Sequence, residues 1–290
     1  MWGLLNVHKP YDVTSRDVVN HIQRLVRPDK AGHAGTLDPL ATGVLVVCVG
    51  AATRLIEFVQ EQPKTYVATF LLGRSSETED VESPVRELPA PPIPTHEDVT
   101  RALPQFRGRI LQRPPAYSAL KVRGQRAYAL ARRGQAVELQ PRPVVIQQLD
   151  VVRYAYPELT LEVRCGSGTY IRALGRDIAV ALGSAAVMSA LERTAIGGFA
   201  VEDACTLEQL TAETLATHLL PALRAVDHLP RLTLGAAQIE EMAHGRVVPG
   251  TVPGDAAYVA AVDHAGTLLG VLRTMPSGLL QPHRNFVSRH

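Results

Sequence analysis

Residues 31–49 read AGHAGTLDPLATGVLVVCV, and this stretch decides how the chain is organised. Its second half, residues 44–49, is a continuous run of apolar, mostly β-branched residues, which predicts a strand buried on both faces. The first half is a glycine-rich loop with Asp38 at its centre. Because loops on rigid scaffolds often carry function, Asp38 is a candidate functional residue. The alternative is that Asp38 and Pro39 form an ordinary turn, where this pair is common.

The segments around this loop predict a mixture of helices and strands. Apolar residues at helical spacing predict a helix after Thr14 that ends at Pro28. Strands are predicted at residues 65–72, 144–153 and 158–165, and helices at 54–59, 169–182 and 184–195. Because strands and helices do not alternate strictly, the order predicts an α+β fold with a mixed, mainly antiparallel sheet.

Two further segments differ in composition from the rest of the chain. Residues 77–98 contain seven acids and five prolines, which predicts an exposed loop. After residue 230 the pattern predicts a short helix at 236–245 and strands at 256–263 and 267–274. We therefore expect a large domain at residues 1–229 and a small β-rich domain at residues 230–290.

Composition excludes several classes of protein. The three cysteines form no C-x-x-C pair, and the ten histidines form no closely spaced set, so a thiolate or histidine metal site is not predicted. No P-loop pattern is present, which argues against a phosphate-cradling NTPase. The N-terminal apolar run is too short for a signal peptide, and no stretch is long enough to cross a bilayer. We expect a cytoplasmic protein with no membrane association.

The charge of the chain is concentrated in one segment. The whole chain has a formal net charge of +2, yet residues 101–143 contain ten Lys or Arg and only one acid, Glu138, for a net charge of +9. The remaining residues therefore carry −7. A strongly basic segment in a nearly neutral protein predicts a localised anionic partner, with RNA favoured over a solvated amphipathic helix.

The sequence resembles the TruB family of pseudouridine synthases. The motifs that carry the resemblance are LLNVHKP (4–10), GHAGTLDPLATG (32–43), KTYVATFLLG (64–73), PPAYSALKVRGQRAYALARRG (114–134), CGSGTYIRALGRDIA (165–179) and ALERTAIGGF (190–199). The resemblance implies a pseudouridine-synthase catalytic domain at residues 1–229 with an RNA-contacting insertion at about 104–143. It also implies a PUA-like RNA-binding domain at residues 230–290. The implied reaction isomerises uridine 55 in the T-arm of tRNA.

The resemblance also implies roles for individual residues. Asp38 is the nucleophile acting on a flipped-out uridine, Tyr66 stacks on the base, and Arg172 pairs with Asp38. The substrate-binding residues are His33, Tyr66, Tyr170, Leu191 and Lys9, of which His33 fills the space left by the flipped nucleotide. The RNA-binding residues are Lys121, Arg123, Arg126, Arg132 and Arg133. Expected partners are tRNA alone, through its T-stem-loop, with no cofactor, metal or protein partner and a monomeric state.

Each assignment has a structural alternative. Tyr66 has the position of an ordinary strand aromatic, Arg172 that of a solvated charge, and Leu191, at helical spacing from Val187, that of a core residue. The sequence also leaves open whether Asp38 attacks C1′ of the ribose or C6 of the base. Competing functions are a guide-RNA-dependent relative, an RNA-folding module and a glycosidase, although no second acid near Asp38 in the sequence supports a glycosidase.

Overall fold

The computed structural model describes residues 1–117, 121–122, 125–126, 133, 139–250, 252 and 254–287. In the first half of the chain the elements are β1 (Gly3–Lys9), α1 (Ser15–Leu25), β2 (Ala31–His33), β3 (Thr42–Val49), α2 (Ile56–Glu61), β4 (Lys64–Leu72), β5 (Arg74–Ser75), β6 (Arg86–Glu87), α3 (His96–Ala102), β7 (Gly108–Gln112), β8 (Lys121–Val122) and β9 (Gln125–Arg126). In the second half they are β10 (Arg142–Ala155), β11 (Glu158–Cys165), α4 (Ile171–Ala181), β12 (Ala186–Ile196), β13 (Phe199–Ala200), α5 (Leu215–His218), β14 (Arg231–Thr233), α6 (Ala236–Ala243), β15 (Tyr258–Val262), β16 (Leu268–Thr274) and β17 (Leu280–Asn285).

One large sheet organises most of the chain. Among the described residues it has nine strands in the order β1-β3-β12-β4-β11-β10-β7, with β2 paired to β3 and β13 paired to β12. Its pairings are antiparallel except that between β12 and β3. The predicted α+β fold with a mixed, mainly antiparallel sheet is confirmed.

The predicted buried strand at residues 44–49 is confirmed as β3, which lies between β1 and β12. The predicted helix after Thr14 is α1, and it begins with a capping box between Thr14 and Asp17. The helix buries Val18 and Ile22 in a core cluster shared with β1 and β3. This packing brings the start of α1 close to the loop that precedes β3.

The prediction of a helix at residues 184–195 is wrong, because these residues form most of strand β12. Alanine, leucine, methionine and glutamate favour a helix locally. In the fold, β12 is paired on both sides, with β4 along nearly its whole length and with β3 at Glu192 and Arg193. Tertiary pairing overrides the local propensity, and Leu191 therefore reaches the core from a strand.

The prediction of an exposed loop at residues 77–98 is only partly right. The segment contains the short strand β6 and the start of α3, which Thr95 and Asp98 cap. Asp80 is fully buried. Composition alone did not reveal this, because burial of that carboxylate depends on partners from distant parts of the chain.

The C-terminal segment forms a second sheet of the described residues, in the order β14-β15-β16-β17. The strands predicted at 256–263 and 267–274 are confirmed as β15 and β16, whereas β14 and β17 were not predicted. This sheet shares a core cluster with the large one, in which Ala260 and Val271 lie with Phe58. Within the described ranges, no helix is long and apolar enough to cross a membrane.

Candidate active site

The loop that carries Asp38 is held in place by hydrogen bonds from two other elements. The Ser15 hydroxyl, at the start of α1, accepts from the Leu37 amide at 2.8 Å and donates to the Leu37 carbonyl at 3.1 Å. On the other side of Asp38, the Lys9 ammonium donates to the Pro39 carbonyl at 3.1 Å. Both neighbours of Asp38 are therefore fixed, which limits the positions that its carboxylate can take.

Two glycines allow the loop to lie close to the sheet. Gly35 has φ of +122° and Gly43 has φ of +94°, values that other residues rarely adopt. A Cβ at Gly43 would stand 2.3 Å from the Arg193 carbonyl oxygen, where β3 and β12 run in parallel. Glycine at position 43 therefore allows β3 to pair closely with β12 just after the Asp38 loop.

Arg172, on the first turn of α4, brings two carboxylates together. Its Nη2 lies 3.1 Å from Oδ2 of Asp38, and its Nη1 lies 3.2 Å from Oδ2 of Asp80. The same guanidinium donates to the carbonyls of Thr78, at 2.7 Å, and Tyr117, at 3.1 Å. The Arg172 side chain is 9% exposed, whereas that of Asp38 is 35% exposed. A buried, fully engaged cation therefore orients a carboxylate that solvent or substrate can reach.

Asp80 was not identified from the sequence. Its Oδ1 accepts from the Glu82 amide at 3.1 Å and from the Thr78 hydroxyl. Glu82 in turn accepts from the Leu40 amide at 3.2 Å, two residues after Asp38. Burial, together with the charges of Asp80 and Asp38, raises the pKa of Glu82. Residues 80–82 therefore support the Asp38 loop at two points, the Leu40 amide and the Arg172 guanidinium.

Tyr66 lies on β4 with its side chain buried in the apolar cluster that also contains Leu37, Leu40 and Leu191. Burial raises the pKa of the Tyr66 phenol, and the charge of Arg193 opposes that rise. At neutral pH the phenol is therefore protonated. The aromatic ring therefore packs beside the Asp38 loop, and its hydroxyl carries no charge.

His33 and Tyr170 are held by different parts of the fold. His33 ends β2, and its Nδ1 is buried with no hydrogen-bond partner among the described residues. Burial and the charges of Arg16 and Arg193 lower the pKa of His33, so the ring is neutral at pH 7. Tyr170 precedes α4, and its amide and carbonyl both bond to the Gln112 side chain, at 2.8 and 3.0 Å.

Lys9 is fully buried beneath the loop. In addition to Pro39, its ammonium donates to the carbonyls of Pro10 at 2.8 Å and Val13 at 2.6 Å. Burial lowers the pKa of Lys9 to about 8, against the attraction of Asp38. The structure thus places Lys9 as a support for the loop backbone.

The basic segment is described only in part. Lys121 in β8 pairs with Arg126 in β9, and Arg133 is exposed. Arg123 and Arg132 lie outside the described residues. Earlier in the same segment, Arg107, Arg109 and Arg113 are exposed along and around β7.

Comparison with known proteins places this arrangement in one family. The family model described as TruB family pseudouridylate synthase (N terminal domain) matches residues 23–171. The model described as tRNA pseudouridylate synthase B C-terminal domain matches residues 172–229. The tRNA pseudouridine synthase B of Rhodopirellula baltica is 38% identical over 285 residues, which cover 91% of this chain and 82% of that protein. That of Mycobacteroides abscessus is 43% identical over 274 residues, 92% and 91% of the two chains.

The fold is also similar to that of chains in solved structures. The chain is similar to one in the crystal structure of a Cbf5-Nop10-Gar1 complex, with a TM-score of 0.78 and 26% identity, covering 99% of this chain and 85% of that one. It is also similar to a chain in an H/ACA RNP bound to a substrate RNA, with a TM-score of 0.77 and 25% identity, covering 99% and 86%. Fold and sequence together define an isomerase of the pseudouridine synthase class. The chain belongs to the TruB family of these enzymes, and the resemblance found in its motifs is confirmed.

Proposed function

We propose that the protein converts uridine to pseudouridine at position 55 in the T-arm of tRNA, with Asp38 as the nucleophile. The relatives at 38–43% identity, which are named tRNA pseudouridine synthases, support the tRNA substrate. The observation that carries the mechanism is the pair of Asp38 and Arg172 at 3.1 Å, in which only Asp38 is accessible.

The reaction needs one nucleophile and no external redox partner. The N1–C1′ bond of uridine breaks, the base turns, and a C5–C1′ bond forms, with one proton lost from C5 and one gained at N1. Asp38 forms a transient bond at C1′ or at C6. On the C1′ route it leaves with its electron pair as C5 bonds to C1′, and on the C6 route it leaves after that bond has formed. Arg172 keeps this carboxylate aimed, because its planar guanidinium stands 3.1 Å from Asp38 as an ion-pair partner.

The target base must leave its stack to reach Asp38, at a cost of a few kcal/mol. Tyr66 offsets part of this cost by stacking, at about 1–3 kcal/mol for an aromatic side chain. Leu191 and Tyr170 complete the pocket wall, and His33 occupies the vacated position in the RNA. A neutral histidine suits that role, because it adds no charge where the base was removed.

The basic segment supplies the RNA contact. We assign Lys121, Arg123, Arg126, Arg132 and Arg133 to the phosphates of the T-arm, because structured RNA is read largely through its shape and backbone. We also assign residues 1–229 to the catalytic domain and residues 230–290 to a small PUA-like RNA-binding domain. The separate four-stranded sheet of the C-terminal segment supports this division.

A guide-RNA-dependent activity is the second candidate, because one similar chain belongs to a Cbf5-Nop10-Gar1 complex and another to an H/ACA RNP bound to a substrate RNA. A glycosidase is disfavoured by the relatives, which are named tRNA pseudouridine synthases. The carboxylates near Asp38 do not exclude it by themselves: Asp80 is fully buried, but Glu82, which accepts from the Leu40 amide, is exposed.

The test uses the purified chain alone, in a buffer with a metal chelator. An unmodified tRNA transcript and an isolated T-stem-loop are the substrates, and a transcript with cytidine at position 55 is the matched control. Released nucleosides are separated by chromatography with mass detection. We expect pseudouridine from the first two RNAs and none from the third. A requirement for a guide RNA or a protein partner, or product from the cytidine control, would contradict the proposal.

A further inference from the structure

Arg193 is a buried cation at the centre of the large sheet. It lies on β12 directly opposite Tyr66 on β4, and the residue is 1% exposed. It is among the largest fully buried side chains of the described residues. No role for Arg193 could be predicted from the sequence, because its burial depends on the pairing of β12 with β4.

The contacts of Arg193 all lead to the active site. Its Nε donates to the Val44 carbonyl at 2.7 Å, and its Nη2 donates to the Gly35 carbonyl at 3.1 Å, three residues before Asp38. The guanidinium also lies beside the Tyr66 phenol, because Arg193 and Tyr66 face each other across the β12–β4 pair. One planar group therefore joins the catalytic loop, the strand after it and the stacking tyrosine.

Arg193 has no ionic partner in the part of the chain that the structure describes. No carboxylate lies within 4.0 Å of its guanidinium there, in contrast to Arg172 and Arg176. A buried charge without a counter-ion is destabilising, and an apolar side chain of similar volume would serve packing better. The presence of arginine at this position therefore calls for a function other than stability.

The positive charge of Arg193 acts on several residues of the site. It lowers the pKa of His33 and of Lys9, and it opposes the rise in the pKa of Tyr66. The same charge also helps to lower the pKa of Lys64, so its field covers the start of β4 as well as the loop and Tyr66. A fixed guanidinium in a buried site loses little energy to solvent reorganisation, so it can hold its partners in one arrangement.

We propose that Arg193 is a positioning residue for the isomerisation, acting through Tyr66 by locking its hydroxyl to the Gly35 end of the Asp38 loop. The inference rests on the proposed function. Arg193 does not touch the substrate. It fixes the distance between the surface on which the base stacks and the carboxylate that attacks it. A small displacement of either group is sufficient to lower the rate about 100-fold.

The experiment is a double-mutant cycle. Arg193→Lys and Arg193→Met are made in the wild type and in Tyr66→Phe, which lacks the hydroxyl on which the proposal depends. Ile196→Val, a buried change on the same strand, is the matched control for lost stability. For each protein we measure the single-turnover rate with enzyme in excess, the Kd for tRNA, and the thermal midpoint.

We expect Arg193→Met to reduce the single-turnover rate about 100-fold, with Kd changed less than about threefold. Arg193→Lys keeps the charge but loses the planar fork, so it should recover only part of the rate. In the Tyr66→Phe background both Arg193 changes should cost less than about threefold, because the shared contact is already absent. If Arg193→Met does not fold, the double-mutant cycle is measured with Arg193→Lys alone.

Equal losses in both backgrounds, or losses that follow the thermal midpoint as they do for Ile196→Val, would overturn the proposal and leave Arg193 a structural residue. A normal rate for Tyr66→Phe combined with a slow Arg193 variant would also overturn it. Failure of the wild type to modify tRNA would instead be a failure of the proposed function. The two results are therefore distinguishable.

Discussion

Nη2 of Arg172 lies 3.1 Å from Oδ2 of Asp38, and the arginine is far less exposed than its partner. Arg172 also forms an ion pair with Asp80 and donates hydrogen bonds to two backbone carbonyls. The guanidinium is therefore fixed before any substrate arrives, and Asp38 is oriented by a group that cannot easily turn away. The orientation of the Asp38 carboxylate therefore depends on Arg172 and on the buried Asp80 behind it.

Replacing Asp80 by asparagine should slow the reaction without weakening RNA binding. The change removes the buried charge that holds Nη1 of Arg172 at 3.2 Å, so the arginine loses its fixed orientation toward Asp38. We expect the single-turnover rate to fall about 10- to 100-fold. Glu87→Gln is the control, because this acid lies in the same segment but is 76% exposed. An Asp80→Asn enzyme with the wild-type rate would refute this role.

Arg172→Lys should not behave as a conservative change. Lysine keeps the charge but presents it at one point, and it cannot reach Asp38, Asp80 and two carbonyls together. We expect a loss of at least about 100-fold in kcat, with a small change in KM. Arg231→Lys, at an exposed ion pair with Asp227, is the control and should be neutral. If Arg172→Lys retained most of the activity, the planar guanidinium with its several donors would be unimportant.

Lys9 should make the stability of the protein depend on pH. Its pKa is lowered from 10.5 to about 8 in the folded state, so between these values the unfolded chain binds more protons than the folded one. Stability from this group therefore rises with pH over that interval, by at most about 1.4 kcal/mol per pH unit. Urea unfolding of the wild type and of Lys9→Met is measured across this pH interval. The difference between their free energies of unfolding should change with pH as the wild type gains stability. A difference that stays constant with pH would contradict it.

The basic segment should set the salt dependence of tRNA binding. Neutralising Lys121, Arg123 and Arg126 together removes up to three phosphate contacts. The slope of log Kd against log salt should then decrease by up to about three. Arg24, Arg27 and Lys30, three exposed cations outside the segment, provide the matched triple variant, which should leave the slope unchanged. Equal slopes for the two triple variants would show that the segment does not touch phosphates.

The sequence predicted the parts of the site that lie in motifs resembling the TruB family. Asp38, Tyr66 and Arg172 stand in three separate motifs, and their roles follow from that resemblance. The structure brings Asp38 and Arg172 into contact. The sheet class, by contrast, followed from the order of elements, which is a local pattern that a single sequence contains.

The residues that were missed depend on contacts between distant segments. Asp80 lies among six other acids, and nothing in that composition distinguishes the buried one. Arg193 lies in a run with helical propensity, and its role becomes visible only when β12 pairs with β4. Gln112 fixes Tyr170 from an element 58 residues away. Such partners are chosen by tertiary packing, which local propensity does not encode.

The most direct test of the account is the effect of Asp38→Asn on catalysis and on binding, measured on the same preparation. Asparagine has nearly the same shape, so tRNA affinity and the thermal midpoint should stay close to those of the wild type. The amide is not a nucleophile, and it cannot form the ion pair with Arg172. We predict no pseudouridine from this variant in a single-turnover reaction with enzyme in excess. Appreciable product from Asp38→Asn, at unchanged affinity, would contradict the assignment of Asp38 as the nucleophile.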